Sequence, residues 1–550
     1  MSAFSFFLVG DGLLFTPEFP TLERLDTMRK FRLRYLGVPA LLLAASTAAA
    51  APDDPAALAV VNRAGWGAQA VDVQLLADQG LSAWLDRQLH PSDDDGLPQA
   101  VKDQIAAMEI SQKDLVEINN DVRLLQKAAQ NAKGTPDYDA AQKAYQGKLN
   151  DLAREAQTRS LLRDLYSRNQ LKEQLTWFWM NHFNVHQNKG EIRAFVGDYE
   201  EMIRSHALGK FRDLLIATMT HPAMLQYLDN VQNAKGHINE NYARELMELH
   251  TLGVGSGYTQ QDVQELARIL TGMGVNTSGT LPNVPVAYAS RYRYRGLFEF
   301  NPQRHDFGGK HFLGSDVEGR GIEEVALAAT DLTLQPPTAM HISRELAEYF
   351  CCDQPSDRLV QAMAATFRAQ DGETSAVLRT LFNSPEFKAS LGHKFKDPVH
   401  YVISSVRAAY SDHSAINLIP VTNWLNRMGE PLYGHETPDG YAMDEASWSG
   451  PGQMETRFEF AQQLGHGNLP IFTPQAPPPP PAMPGTDMVA AASQPASARP
   501  QPVPPTLLEA AQYQVIAPTL SDRTGNALNQ VTNPGDKTML ILASPEFMYR

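Results

Sequence analysis

The chain has 550 residues, 43% of them hydrophobic, which is apolar material for more than one packed unit. A formal charge of −15 excludes a general nucleic-acid binder, since that role needs a basic face against phosphate. The two cysteines, Cys351 and Cys352, are neighbours and cannot staple distant segments, so packing must hold the fold together.

From Met28 the chain reads as a secretory signal. Basic residues fill 29–34, an apolar run follows over 36–45, and small residues lead to Ala51. The run falls well short of the ~18 residues of a spanning helix. Cleavage after Ala50 and Sec-type export to the periplasm or medium are expected, with residues 1–27 preceding the signal and Met28 as the expected start. Arg29 is followed by Lys30, so the twin-arginine pair is missing, and no cysteine near the cleavage zone offers a lipid anchor. No later apolar run is long enough for a transmembrane anchor.

The rest of the chain predicts a mainly α protein, a core over 52–473 with helices as its main element. Residues 55–92 read as two short helices around the turn Arg63-Ala-Gly-Trp-Gly67. A helical hairpin insertion is expected at about 97–160, broken at Gly134-Thr-Pro136, with its many charges on a solvated face. Residues 171–186 form an apolar, aromatic helix, followed by helices at 194–207, 209–219 and 223–229. Two further helices are expected at about 239–251 and 260–273. A small β-hairpin and loop region near 280–315 comes next, with 291–295 pairing 297–300. Helices resume over 321–411. A Pro-rich linker over 474–505 leads to a C-terminal helical segment, 506–550, expected to pack back on the core. The segments Leu381-Phe-Asn-Ser-Pro-Glu-Phe387 and Ile541-Leu-Ala-Ser-Pro-Glu-Phe547 echo each other, too briefly to establish a repeat.

The densest polar motif is Asn239-Glu-Asn-Tyr-Ala-Arg-Glu-Leu-Met-Glu-Leu-His250. On a helix, Tyr242, Leu246 and Leu249 make the core stripe, with Asn241, Glu245 and Glu248 on one flank and His250 on the other. Arg244 stands four residues from both Glu240 and Glu248 and can bridge them. A structural network with Arg244, Arg268 and His182 would satisfy acids at a core edge. His182 and His186, four apart, have a spacing that suits two ligands to one divalent metal, with Glu245, Glu248, His305 or Asp306 as a third. The competing reading has both histidines capping the packing of Trp177, Phe178 and Trp179. In His305-Asp-Phe-Gly-Gly-Lys310, His305 reads as a general base with Asp306 or a helix acid as its orienter, or as part of a turn whose Asp306 bonds the following amides. Cys351-Cys352 reads first as buried small hydrophobes, then as a vicinal disulfide or a metal or redox site. No Gly-x-Ser-x-Gly elbow, phosphate loop or dinucleotide fingerprint is present.

These motifs together resemble a bacterial family of unknown function, DUF1800. The resemblance begins at Asn62-Arg-Ala-Gly-Trp-Gly67 and Gln88-Leu-His-Pro91. It runs through Phe178-Trp-Met-Asn-His-Phe-Asn-Val185, 239–250, Tyr258–Gly272 and Phe300-Asn-Pro-Gln-Arg-His-Asp306 to Lys396-Asp-Pro398. Met428-Gly-Glu-Pro431, Pro438-Asp-Gly-Tyr441 and Ser544-Pro-Glu-Phe547 complete it. Tyr441 stands where tryptophan is commoner. The resemblance implies an exported, largely helical protein, often encoded beside an exported protein resembling alkaline phosphatases and sulfatases. It implies no settled catalytic residues. Two functions are carried forward: a non-catalytic scaffold or partner of a neighbouring exported enzyme, and a metal-assisted hydrolase of a cell-surface or extracellular polymer.

Overall fold

Apolar spacing and local caps set most of the helix boundaries. The computed structural model describes residues 55–411, 413–474 and 502–550, all within the compact unit from Ala48 to Arg550. The expected signal peptide and residues 475–501 of the Pro-rich segment lie outside the described residues.

Helix α1 (Pro55–Ala64) ends at the Arg63–Gly67 turn, and α2 (Ala70–Leu89) follows with a kink at Gly80, whose φ is 74°. The hairpin arms are α3 (Leu115–Asn131) and α4 (Tyr138–Tyr166). Asp114 starts the first arm: it accepts from the Glu117 amide while Glu117 returns a bond to the Asp114 amide. The second arm runs past the expected boundary at 160 and buries Leu161, Leu162 and Leu165, so the base of the hairpin belongs to the core.

Helix α5 (Gln170–His182) is buried on nearly every face, the signature of a helix enclosed by others. It stops at His182. The Asn184 side chain then donates to the carbonyls of His435 (3.1 Å) and Thr437 (2.7 Å), which turns the chain away from the helix axis. His186 therefore lies beyond the helix, and the shared helical face expected for His182 and His186 is not formed.

Helix α6 (Ile192–His206) packs on α5, α7 (Phe211–Met219) and α8 (Pro222–Tyr227) pack on α6, and α9 (Asn241–Glu248) packs on α10 (Gln260–Ile269). Thr259 and Asp262 form a reciprocal cap that starts α10. The expected hairpin is present as β2 (Arg293–Arg295) and β3 (Phe298–Phe300), and β1 (Met273–Val275) adds to it antiparallel in the order β1-β3-β2. A second ribbon pairs β4 (Lys310–Phe312) with β5 (Ser315–Val317). Strand β1 and this ribbon are three residues each, too short to leave an alternating pattern in the sequence.

The second half includes α11 (Glu323–Leu334), α12 (Pro336–Phe350), α13 (Asp357–Ala369), α14 (Thr374–Asn383), α15 (Pro385–Ser390), α16 (Pro398–Ala409), α17 (Pro451–Gly465) and α18 (Pro534–Leu542) among its helices. Helix α18 packs on α17. The buried Arg63 guanidinium joins distant parts of the chain: it donates to the carbonyls of Phe350 (3.0 Å), Cys351 (2.6 Å) and Arg550. Among the described residues no helix is long and apolar enough to cross a membrane.

Candidate functional site

The polar motifs separate into two centres, and the first is built at the end of α9. The last carbonyls of a helix have no partner inside it and must find donors elsewhere. Here the Met247 carbonyl accepts from the Gly253 amide, and that of Leu246 from the Thr251 hydroxyl at 2.7 Å. The next two are reached by imidazoles from other helices. His341 Nε2 on α12 lies 2.9 Å from the Leu249 carbonyl, and His182 Nε2 on α5 lies 3.2 Å from that of His250.

Glu345, one turn after His341, joins the pair. Its carboxylate lies 2.6 Å from His182 Nδ1 and 3.5 Å from His341 Nε2. Burial pushes the Glu345 carboxyl up, but the two neighbouring imidazoles outweigh it and hold it below the usual carboxylate range. Glu345 and His341 are half-buried while His182 is enclosed by Phe178, Trp179, Phe183 and Phe211. The aromatic reading of His182 and a polar role thus hold together. The His250 ring packs 5.8 Å from that of His182 and is fully buried, with neither nitrogen hydrogen-bonded. Burial, reinforced by His182 and His341, drives its pKa well below the ordinary value, so the ring is neutral.

Along the exposed side of α9, Arg244 bridges Glu240 (3.1 Å) and Glu248 (3.5 Å), as the spacing predicts. Asn241 faces the other way and donates to the Leu228 carbonyl at 3.1 Å. Glu245 is pushed up by burial, then by the negative charges of Glu248 and Asp439, with Arg244 opposing. No hydrogen bond or ion pair joins His182, His186 and Glu245 among the described residues; Glu345 and His341 take the places beside His182.

The second centre surrounds His305. Its Nδ1 lies 2.7 Å from the Thr271 carbonyl and its Nε2 lies 3.0 Å from Glu324. Glu324 also accepts from Lys310 Nζ at 2.5 Å and from the Gly321 amide at 2.7 Å. The side chains of His305, Lys310 and Glu324 have 0% exposure, which seals them from any substrate. Burial raises the Glu324 carboxyl, but the bonds from His305, Lys310 and Gly321 win and hold it low. Asp306 does not orient His305. It accepts from Arg268 at 2.8 Å and from the Gly308 amide at 2.9 Å, the arrangement of the turn reading. Arg268 therefore belongs with Asp306 and Glu265 rather than with Arg244 and His182.

Sequence reading missed Glu324, Glu345 and His341. Only the four-residue spacing of His341 and Glu345 on one helix offered a signal. Glu324 looks like any acid in a first helical turn.

A mainly helical protein whose signature motifs converge on two internal histidine–carboxylate centres is the class these observations define. Residues 59–549 match the model of a family described as a protein of unknown function, DUF1800, and the chain belongs to that family. No curated protein and no solved structure matches the chain.

Proposed function

We propose that the chain is an exported bacterial protein acting as a non-catalytic scaffold or partner of a neighbouring exported enzyme resembling alkaline phosphatases and sulfatases. One observation carries the non-catalytic reading: the residues that suggested acid–base chemistry are consumed by internal partners. His305 is closed in by Glu324 and Thr271, and Asp306 is tied to Arg268. The polar motifs then serve as glue between helices, leaving the outer surface for a partner. Export is supported by the basic, apolar and small-residue stretch after Met28.

The test is sedimentation velocity of the full chain with an exported phosphatase-like protein from the same source, alongside cell fractionation. The expected result is a stable complex in the exported fraction. Separate sedimentation of the two proteins overturns the partner role, and recovery in the cytoplasmic fraction overturns export.

The hydrolase reading keeps one supporting observation. His182, His341 and Glu345 bring two imidazoles and a carboxylate close together, with His341 and Glu345 partly exposed, and these are donor types that a divalent metal takes. A metal retained by the wild type and lost from His182→Ala would favour it over the scaffold.

A further inference from the structure

The C-terminus of α12 carries a third cluster, independent of both centres and of the function proposed above. Cys351 and Cys352 place their sulfurs 3.1 Å apart, and Cys352 Sγ lies 3.9 Å from a carboxylate oxygen of Glu386 on α15. The three donor atoms lie within 4.8 Å of one another. A zinc ion with ligands at about 2.0–2.3 Å holds neighbouring donor atoms about 3.3–3.8 Å apart. The pair of sulfurs needs to open slightly and the carboxylate to close slightly, both within a side-chain rotation.

We infer that Cys351, Cys352 and Glu386 form a binding site for a thiophilic divalent cation of the zinc type, with a fourth position open to solvent.

Three features support it. Glu386 is held in place: the Ser356 amide donates to one of its oxygens at 2.8 Å and the Ser356 hydroxyl to the other, the outer bonding that orients a ligating carboxylate. Cys352 and Glu386 are partly exposed while Cys351 is buried, which gives an entry path on one side. The charges also balance, since two thiolates and one carboxylate offset a divalent ion and the buried Arg63, whose charge acts on both sulfurs. On binding, each thiol releases its proton to solvent and forms a sulfur–metal bond, with no change in oxidation state.

The experiment titrates the full chain, reduced under anaerobic conditions, with Zn²⁺ against a chromophoric chelator, and repeats it with Co²⁺. The expected result is one bound equivalent and a thiolate-to-cobalt charge-transfer band, both lost in Cys352→Ser. Glu386→Gln should weaken binding about 10–100-fold. Circular dichroism on the partly exposed Cys352→Ser variant separates lost binding from lost folding. Retention of the ion in a Cys351→Ser, Cys352→Ser double variant would overturn the site, as would failure of the reduced wild type to bind. A pair isolated from cells as a vicinal disulfide would overturn it in favour of redox chemistry.

Discussion

Glu324 shows what a buried acid requires. Three donors reach its carboxylate, from His305, Lys310 and Gly321, and its side chain is wholly enclosed. Replacing it by Gln removes the negative charge and leaves the Lys310 ammonium in a sealed space. Breaking one side of such a pair costs about 3–5 kcal/mol, far more than the pair adds over an apolar substitute. Glu324→Gln should therefore lower the urea midpoint, read by circular dichroism, by an amount equivalent to about 3–5 kcal/mol of unfolding free energy. An unchanged midpoint would mean that Lys310 finds another counter-charge and that the centre is not the glue proposed here. Arg244 and its two acids offer the contrast: that group is only partly buried at the surface, and such surface pairs contribute well under about 1 kcal/mol each.

At the scale of the element, the end of α9 ties the family motif to the rest of the fold. Gly253, in the turn that follows α9, has φ of +85°, a conformation in which a side chain is strained, and a Cβ there would stand 3.3 Å from His341 Nδ1. Gly255 has φ of +73° but open space around its missing side chain. Gly253→Ala should thus cost more than Gly255→Ala, which loses only the backbone term of about 1–2 kcal/mol. The difference in melting temperature between the two variants isolates the contact with His341; equal losses would show that the imidazole moves aside freely. This junction also marks how far the sequence was legible. Helices such as α5, α9 and α10 were readable because period and caps are local, and the Arg244 bridge followed from spacing of four. The partners of His182 and His305 were not readable. Glu345 lies 163 residues from His182, and no local pattern encodes a contact made by the packing of α12 on α5. The position of His186 failed for a related reason: Asn184, bonded to a loop 251 and 253 residues away, helps to turn the chain away from α5.

For the molecule as a whole, long-range polar contacts do the joining that disulfides do in other folds. Beside Arg63, one of these is a buried chain of Asp397, His400 and Arg550, linking the start of α16 to Arg550. His400 Nδ1 donates to Asp397 at 2.7 Å, and Nε2 accepts from the Arg550 guanidinium at 2.5 Å. That arrangement admits only the neutral imidazole. Burial, then the Arg550 charge, lowers the His400 pKa from 6.5 to about 4, against the pull of Asp397. The folded state therefore resists a proton that the unfolded chain accepts. The stability it contributes is complete above about pH 6.5 and is lost as pH falls toward 4. Asp397, opposed by burial but held low by His400, adds a further loss below its ordinary value of 3.8. Glu430 acts in the other direction: burial and Asp397 raise its carboxyl well above 4.5, so its contribution is present at low pH and fades as pH rises. Because the His400 loss lies higher in pH than the Asp397 loss, acidification from pH 6.5 to 4 should lower the melting temperature of the wild type more steeply than that of His400→Gln. The corresponding difference in unfolding free energy should be on the order of 2 kcal/mol across that window. Parallel melting curves for the two proteins would mean that the unfolded chain and the folded core bind this proton alike, and that the Arg550 contact does not govern the acid stability of the fold.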